Sequence, residues 1–224
     1  MRYVCLDVET TGLELNAGDR VFEIAMIEVK NRQIGREFGS FVNPQRPLSE
    51  HSKKICQIED ERLAGEPRFA DIADSVLAFL AQDPQTVIAA HNSKFDIGFL
   101  NKELSLANVS PIGNKYKIVD TVHIAKNKLP NKMVNLDALC SIFGIDKTQR
   151  DQRGHSAIVD ARLLAKVLLE MCKEDSDEDI VQYAESEQIY FGIKKRKQTL
   201  GPRFFSPTEA EKIEHEKLMQ KIKQ

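Results

Sequence analysis

Two acids one residue apart, Asp7 and Glu9, close the apolar run Tyr3-Val4-Cys5-Leu6 near the start of the chain. Alternate residues of a strand share a face, so a strand here carries both carboxylates on one side. Alone, this pattern fits a solvent-facing strand edge as well as a binding site. Two further acids stand among apolar residues. Asp160 shares a helical stripe with Leu164, Val167 and Met171, and Asp96 shares one with Phe99, Leu100 and Glu103. A carboxylate on an apolar face loses hydration, which costs several kcal/mol or forces its pKa up. An arginine such as Arg150 or Arg162 could compensate Asp160, and a first-turn acid such as Asp96 is favoured by a helix N-terminus. If the four acids converge, hard divalent cations answer their repulsion. Oxygen donors without cysteine suit Mg²⁺ or Mn²⁺, and a two-cation carboxylate site performs phosphoryl transfer. A neutral histidine could then take a proton from the attacking water. His155 follows Gly154 and precedes Asp160, at a loop-to-helix junction. A histidine there is more often a cap or a surface residue, and only its partnership with Asp160 raises it. His51, His91, His123 and His215 have no such neighbour, and His91 reads as packed at a strand end.

The segments around these residues alternate in type. "YVCLDVE", "RVFEIAMIEVKN" and "IGREFGSFVNP" read as three strands of an antiparallel meander. The polar stretch 48–66 reads as irregular with a short helix. "FADIADSVLAFLAQD" is a helix and "TVIAAH" a buried strand. "NSKFDIGFLNKELSLA" is a helix with Asn92 and Ser93 as cap candidates. "KIVDTVHIAK" is a strand or strand-to-helix junction, "VNLDALCSIFG" a helix stopped by Gly144, and "SAIVDARLLAKVLLEMCK" a long helix. This order predicts an α/β fold, a mixed sheet flanked by helices. Composition shifts near residue 174, where acidic, then basic ("KKRK", 194–197), then charged helical sequence follows.

With 32 Lys+Arg against 34 Asp+Glu, the 224-residue chain is not broadly basic. Any nucleic-acid contact is therefore local, or assisted by metal ions or partners. Cys5, Cys56, Cys140 and Cys172 lack metal-ligand spacing, and Cys5 and Cys140, set in apolar runs, read as reduced core thiols, which suits a cytoplasmic protein. No signal pattern leads the chain and no apolar run is long enough to span a membrane.

"LDVETTGL", "HNSKFDIGFL" and "HSAIVDA" together resemble the three motifs of the histidine-bearing DEDD 3′–5′ exonucleases, which have a ribonuclease H-like fold. Within that family, residues 3–173 look most like the proofreading epsilon subunits of bacterial DNA polymerase III. The resemblance implies two divalent cations, Mg²⁺ or Mn²⁺, held by Asp7, Glu9, Asp160 and, partly through water, Asp96. It implies His155 as general base, with Thr10, Thr11 and Asn92 beside the terminal nucleotide. The substrate would be a single-stranded or frayed DNA 3′ end, with Asp7, Glu9 and Asp160 touching it. The partners would be the polymerase III alpha subunit and other holoenzyme subunits, with no membrane. A free-standing exonuclease acting on single-stranded DNA or RNA ends is the alternative.

The chain departs from the family pattern in three places. Cys56 and Gln57 replace a His-Gly pair whose histidine contacts substrate, which leaves Cys56 or His51 to supply that contact. Ser156 replaces a glycine. The "DKTQRDQRGH" loop before Ser156 is longer than usual. The expected organisation is an exonuclease domain over 1–174, a charged linker over 175–206, and a helical tail over 207–224 that resembles a polymerase-binding segment. By composition alone that tail is equally a solvated charged helix.

Overall fold

The structure, a computed structural model, describes residues 1–112 and 115–184. Its sheet has five strands: β1 (Arg2–Thr10), β2 (Val21–Lys30), β3 (Gln33–Phe41), β4 (Thr86–Ala90) and β5 (Lys117–Asp120). Their order is β3-β2-β1-β4-β5. The meander β1-β2-β3 is antiparallel, whereas β4 runs parallel to β1 and β5 parallel to β4. The helices are α1 (Glu50–Cys56), α2 (Asp60–Leu63), α3 (Phe69–Leu80), α4 (Ser93–Leu106), α5 (Thr121–Lys128), α6 (Leu136–Ile142), α7 (Thr148–Arg153), α8 (Ala157–Met171) and α9 (Asp177–Val181). The mixed sheet and flanking helices match the expected class.

β1 is central, and its apolar run is covered on both sides. Cys5, Ala25, Ile27, Ala89 and Val119 face the cluster that includes Leu139 of α6 and Leu164 of α8. Val4, Leu6, Ile24, Met26 and Ile88 face Val76 and Phe79 of α3 and Ile97 and Leu100 of α4. Two-sided burial explains why this strand is continuously apolar until Asp7. At the other end of β1, the buried Arg2 ion-pairs with Glu28 and donates to Thr86 Oγ1 at 2.9 Å and to the Phe79 carbonyl at 2.9 Å. The sheet is thus pinned away from the acids.

Two local readings change. The "DKTQRDQRGH" segment contains a helix, α7, which the sequence disguised because it has no apolar stripe. The side chain of Asn92 does not cap α4: its backbone is left-handed, with φ of 70°. Asp120, at the end of β5, caps instead, accepting from the backbone N–H groups of Asn92 at 3.2 Å and Ser93 at 3.1 Å. The same carboxylate accepts from Val122 N at 2.8 Å and so starts α5. Described residues pack on the domain beyond Glu174. Asp177 accepts from the terminal ammonium of Met1 at 2.7 Å and from the Tyr3 hydroxyl at 2.8 Å, and Ala184 bridges to Val119. The "KKRK" run and the 207–224 tail lie outside the described residues. Among the described residues, no helix is long and apolar enough to cross a membrane.

Candidate active site

The C-terminal half of β1, the start of α4 and the start of α8 converge on one cleft of 280 Å³. Asp7, Glu9, Asp96, His155 and Asp160 all line it, with Asn92, His91, Phe95, Asn135 and Arg150 around them. A crevice at the carboxyl ends of parallel strands is where open α/β sheets bind ligands.

Each acid is held by identifiable local structure. In the β1–β2 register Asp7 stands opposite Ala25 and Glu9 opposite Glu23. Asp96, in the first turn of α4, accepts from Val8 N at 3.2 Å, which ties it to the peptide between the two β1 acids. Because Asp120 fixes where α4 begins, it also fixes where Asp96 points. Asp160 is 3% exposed, one turn into α8. Glu23 holds the start of that helix: it accepts from Ser156 Oγ at 2.8 Å and from Ala157 N at 3.0 Å. Ser156 itself makes no side-chain cap bond to α8.

Glu23 is a residue that sequence reasoning missed. The signal was present, as a single acid inside the buried run Val21–Ile27, the same anomaly that drew attention to Asp160. The substitution of serine for glycine at 156 supplies a further donor to it.

His155 is positioned by its backbone and its ring. Its N–H donates to the Ile55 carbonyl at 3.0 Å, and its Nδ1 lies 3.4 Å from Asp160 Oδ2. Ligating atoms of Glu9, His155 and Asp160 all fall within 4.8 Å of one another. Arg150 enters from α7, with Nη2 3.1 Å from His155 Nδ1 and Nε 2.7 Å from Asp160 Oδ1. The arginine partner considered for Asp160 is therefore present, and it is Arg150. Arg162 pairs with Glu37 instead.

Burial and mutual repulsion dominate the electrostatics. Desolvation, with the charges of Asp96, Glu9 and Asp160, holds Asp7 well above the usual carboxylate range. Desolvation raises Glu9 to about 8, helped by Asp160 and opposed by the Cys56 thiol. Asp96 is raised by burial, against the pull of the Val8 amide. Desolvation lifts Asp160 to about 6, with Arg150 pulling the other way. Burial and then the Arg150 charge lower His155, so its ring is neutral at neutral pH.

These residues fit divalent cations. The acids offer carboxylate oxygens, those of Glu9 and Asp160 within 4.8 Å of one another, and Asp160 Oδ1 is buried without an aligned hydrogen bond even though Arg150 Nε is close. Acids raised by one another's charge gain most from a cation among them.

The expected substrate contacts divide. Asn92 lines the cleft. Cys56 lies beside it, its thiol donating to Glu9 Oε2 at 3.4 Å. His51 is exposed in an adjoining groove with Thr11, Gly12, Leu13, Asp19 and Arg46. Both threonine hydroxyls bond within the chain: Thr10 Oγ1 donates to the Gly12 carbonyl at 2.7 Å and Thr11 Oγ1 to Asp19 Oδ1 at 3.0 Å. His91 is packed at the end of β4 as expected, with Nδ1 2.9 Å from Thr121 Oγ1, yet it also lines the cleft.

A converging acid cluster with a histidine over it, at the end of this sheet, defines a nuclease-type hydrolase. The chain belongs to the exonuclease family, whose model matches residues 4–168. Its similarity is to DNA polymerase III epsilon subunits: that of Buchnera aphidicola is 34% identical over 232 residues, covering 99% of this chain and 95% of the relative. The Rickettsia felis subunit is 40% identical over 174 residues, covering 76% and 74%. The Escherichia coli subunit is 36% identical over 177 residues, covering 76% and 71%. The fold is also that of the nuclease domain of 3'hExo, a DEDDh family member bound to rAMP, with a TM-score of 0.66 at 18% identity over 78% of this chain and 92% of that one.

Proposed function

We propose that this protein is the 3′–5′ proofreading exonuclease of a replicative DNA polymerase III, hydrolysing the terminal phosphodiester of a frayed DNA 3′ end. The observation that carries this reading is the convergence of Asp7, Glu9, Asp96 and Asp160 with His155 in one cleft. The chain that bears it is similar to one epsilon subunit along 99% of its length and to others along 76%.

In this reading Asp7, Glu9 and Asp160 would hold two divalent cations, with Asp96 contributing partly through water. When bound, Mg²⁺ or Mn²⁺ lowers the pKa of water and offsets charge on the attacking and leaving oxygens. The neutral His155 ring accepts the proton of the attacking water. The hydroxyl adds to phosphorus, the bond from phosphorus to the preceding O3′ breaks, and a nucleoside 5′-monophosphate leaves. Phe95, whose ring lies 4.8 Å from that of Phe99, gives the cleft a rigid aromatic wall for a base. Nothing in the cleft needs to read sequence. A mismatch supplies a single-stranded end at low unpairing cost, and the near-neutral chain leaves delivery of DNA to its polymerase.

The partners are then the alpha subunit and other holoenzyme subunits, in the cytoplasm. Residues 1–174, with the segment through Ala184 packed on them, form the catalytic domain; the charged stretch from there to 206 is the linker and 207–224 the polymerase-binding segment. The purified chain, with and without alpha subunit, tests this on matched and mismatched primers and on RNA in Mg²⁺. Preferential trimming of mismatched DNA, and retention of alpha subunit that is lost on deleting 175–224, support it. Equal action on RNA with no alpha binding would make the protein a free-standing exonuclease.

A further inference from the structure

Arg150 joins α6, α7 and α8 by charge. Its side chain is 9% exposed, with Nη1 2.6 Å from Asp137 Oδ1 and Nε 2.7 Å from Asp160 Oδ1. Its Nη2 lies 3.1 Å from His155 Nδ1. Guanidinium has donors and no acceptor. Its contact with Nδ1 therefore occupies the lone pair of that nitrogen and leaves the ring proton of neutral His155 on Nε2. A ring held this way has no free lone pair with which to accept a proton from water. The guanidinium also neutralises Asp160, and the two contacts share one rigid plane.

The Arg150–Asp160 contact is close but not an aligned fork: Arg150 Nε and Asp160 Oδ1 are both buried without a hydrogen bond of good geometry. Attraction between the charges is the larger part of this contact, so a cation of higher charge density can compete with the arginine for the carboxylate. Asp137, whose side chain is 49% exposed, already holds the other end of the guanidinium, so Arg150 keeps a partner when it gives up Asp160.

Building on the metal-dependent reading above, we infer that Arg150 is a positioning residue that exchanges with a divalent cation at Asp160. While it holds Asp160 it keeps His155 from acting as a base; when a cation takes its place at Asp160, Arg150 stays on Asp137 alone and the ring is freed. Metal binding and the arming of the base are thereby one event.

The test uses the full chain and two readouts besides activity: Mn²⁺ affinity by electron paramagnetic resonance, and the His155 tautomer by ¹⁵N NMR during Mg²⁺ titration. Arg150→Met is expected to bind Mn²⁺ at least about threefold more tightly than wild type, a lower bound set by what even a solvent-screened charge contact is worth. Asp137→Asn removes the carboxylate that shares Arg150 with Asp160, leaves the guanidinium more firmly on Asp160 and is expected to weaken Mn²⁺ binding. Mg²⁺ is expected to release Nδ1 in wild type, whereas in Arg150→Met the ring is released before any Mg²⁺ is added. Should Arg150→Met fail to fold, Asp137→Asn and the wild-type tautomer titration still decide. Unchanged affinity in the folded variants, or a wild-type tautomer indifferent to Mg²⁺, overturns the inference while leaving the metal reading intact. Mn²⁺ binding equal in wild type and Asp160→Asn overturns both.

Discussion

The backbone N–H of His155 donates to the carbonyl oxygen of Ile55 at 3.0 Å, so the proposed general base is held by the turn that closes α1. That turn is where Cys56 and Gln57 stand in place of a His-Gly pair. Gly154 makes the approach feasible: its φ is +77°, and a Cβ there would lie 2.6 Å from the same Ile55 oxygen. Gly154→Ala must therefore push His155 off its perch. The expected outcome is a fall in kcat of about tenfold or more, with stability reduced by about 1–3 kcal/mol. Steady-state kinetics and thermal unfolding measure the two, and an unchanged kcat would show that this contact does not position the ring.

Glu23 acts on the same ring from the other side, by fixing the start of α8 through Ser156 and Ala157. Its own pKa is raised by burial against those hydrogen bonds. Glu23→Ala removes the cap and leaves buried donors unpaired, at about 1–3 kcal/mol. It should lower kcat, because His155 and Asp160 flank the capped residues, while leaving KM for the DNA end little changed. A change confined to KM would place Glu23 in substrate binding instead.

The acids make a definite prediction for stability against pH. Glu9 rises from 4.5 to about 8 and Asp160 from 3.8 to about 6 in the fold. Over that window the folded chain binds protons that the unfolded chain has released, so stability falls as pH rises. In chelator-treated protein the Tm should be lower at pH about 8 than at pH about 5. Saturating Mg²⁺ should flatten the slope, since a cation replaces the protons. A Tm that climbs over this range without metal would contradict the electrostatics of the cleft.

Much of the site was legible because the acids break an apolar rhythm. Asp160 interrupts a buried helical stripe, and Asp7 and Glu9 follow a strand buried on both faces. The serial order of strands and helices likewise followed from their periodicities. What was hidden depends on contacts distant in sequence. Residues 147–153 are polar throughout, so no stripe marks α7. Tertiary ion pairs support it, with Lys147 and Arg150 both reaching Asp137. Asn92 looks like a cap, but Asp120 from another strand takes the role. Glu23 obeyed the same rule as Asp160 and was obscured by its setting in a strand that also holds Glu28.

The central claim is that these carboxylates are the metal-holding centre of a 3′–5′ exonuclease. The most direct measurement is the hydrolysis of a 3′-mismatched primer by wild type and Asp7→Ala in Mg²⁺, with circular dichroism confirming that both are folded. Loss of one metal-holding acid should remove the cation's contribution, a fall in rate of about a thousandfold or more. A folded Asp7→Ala protein that trims the primer as fast as wild type would contradict the account.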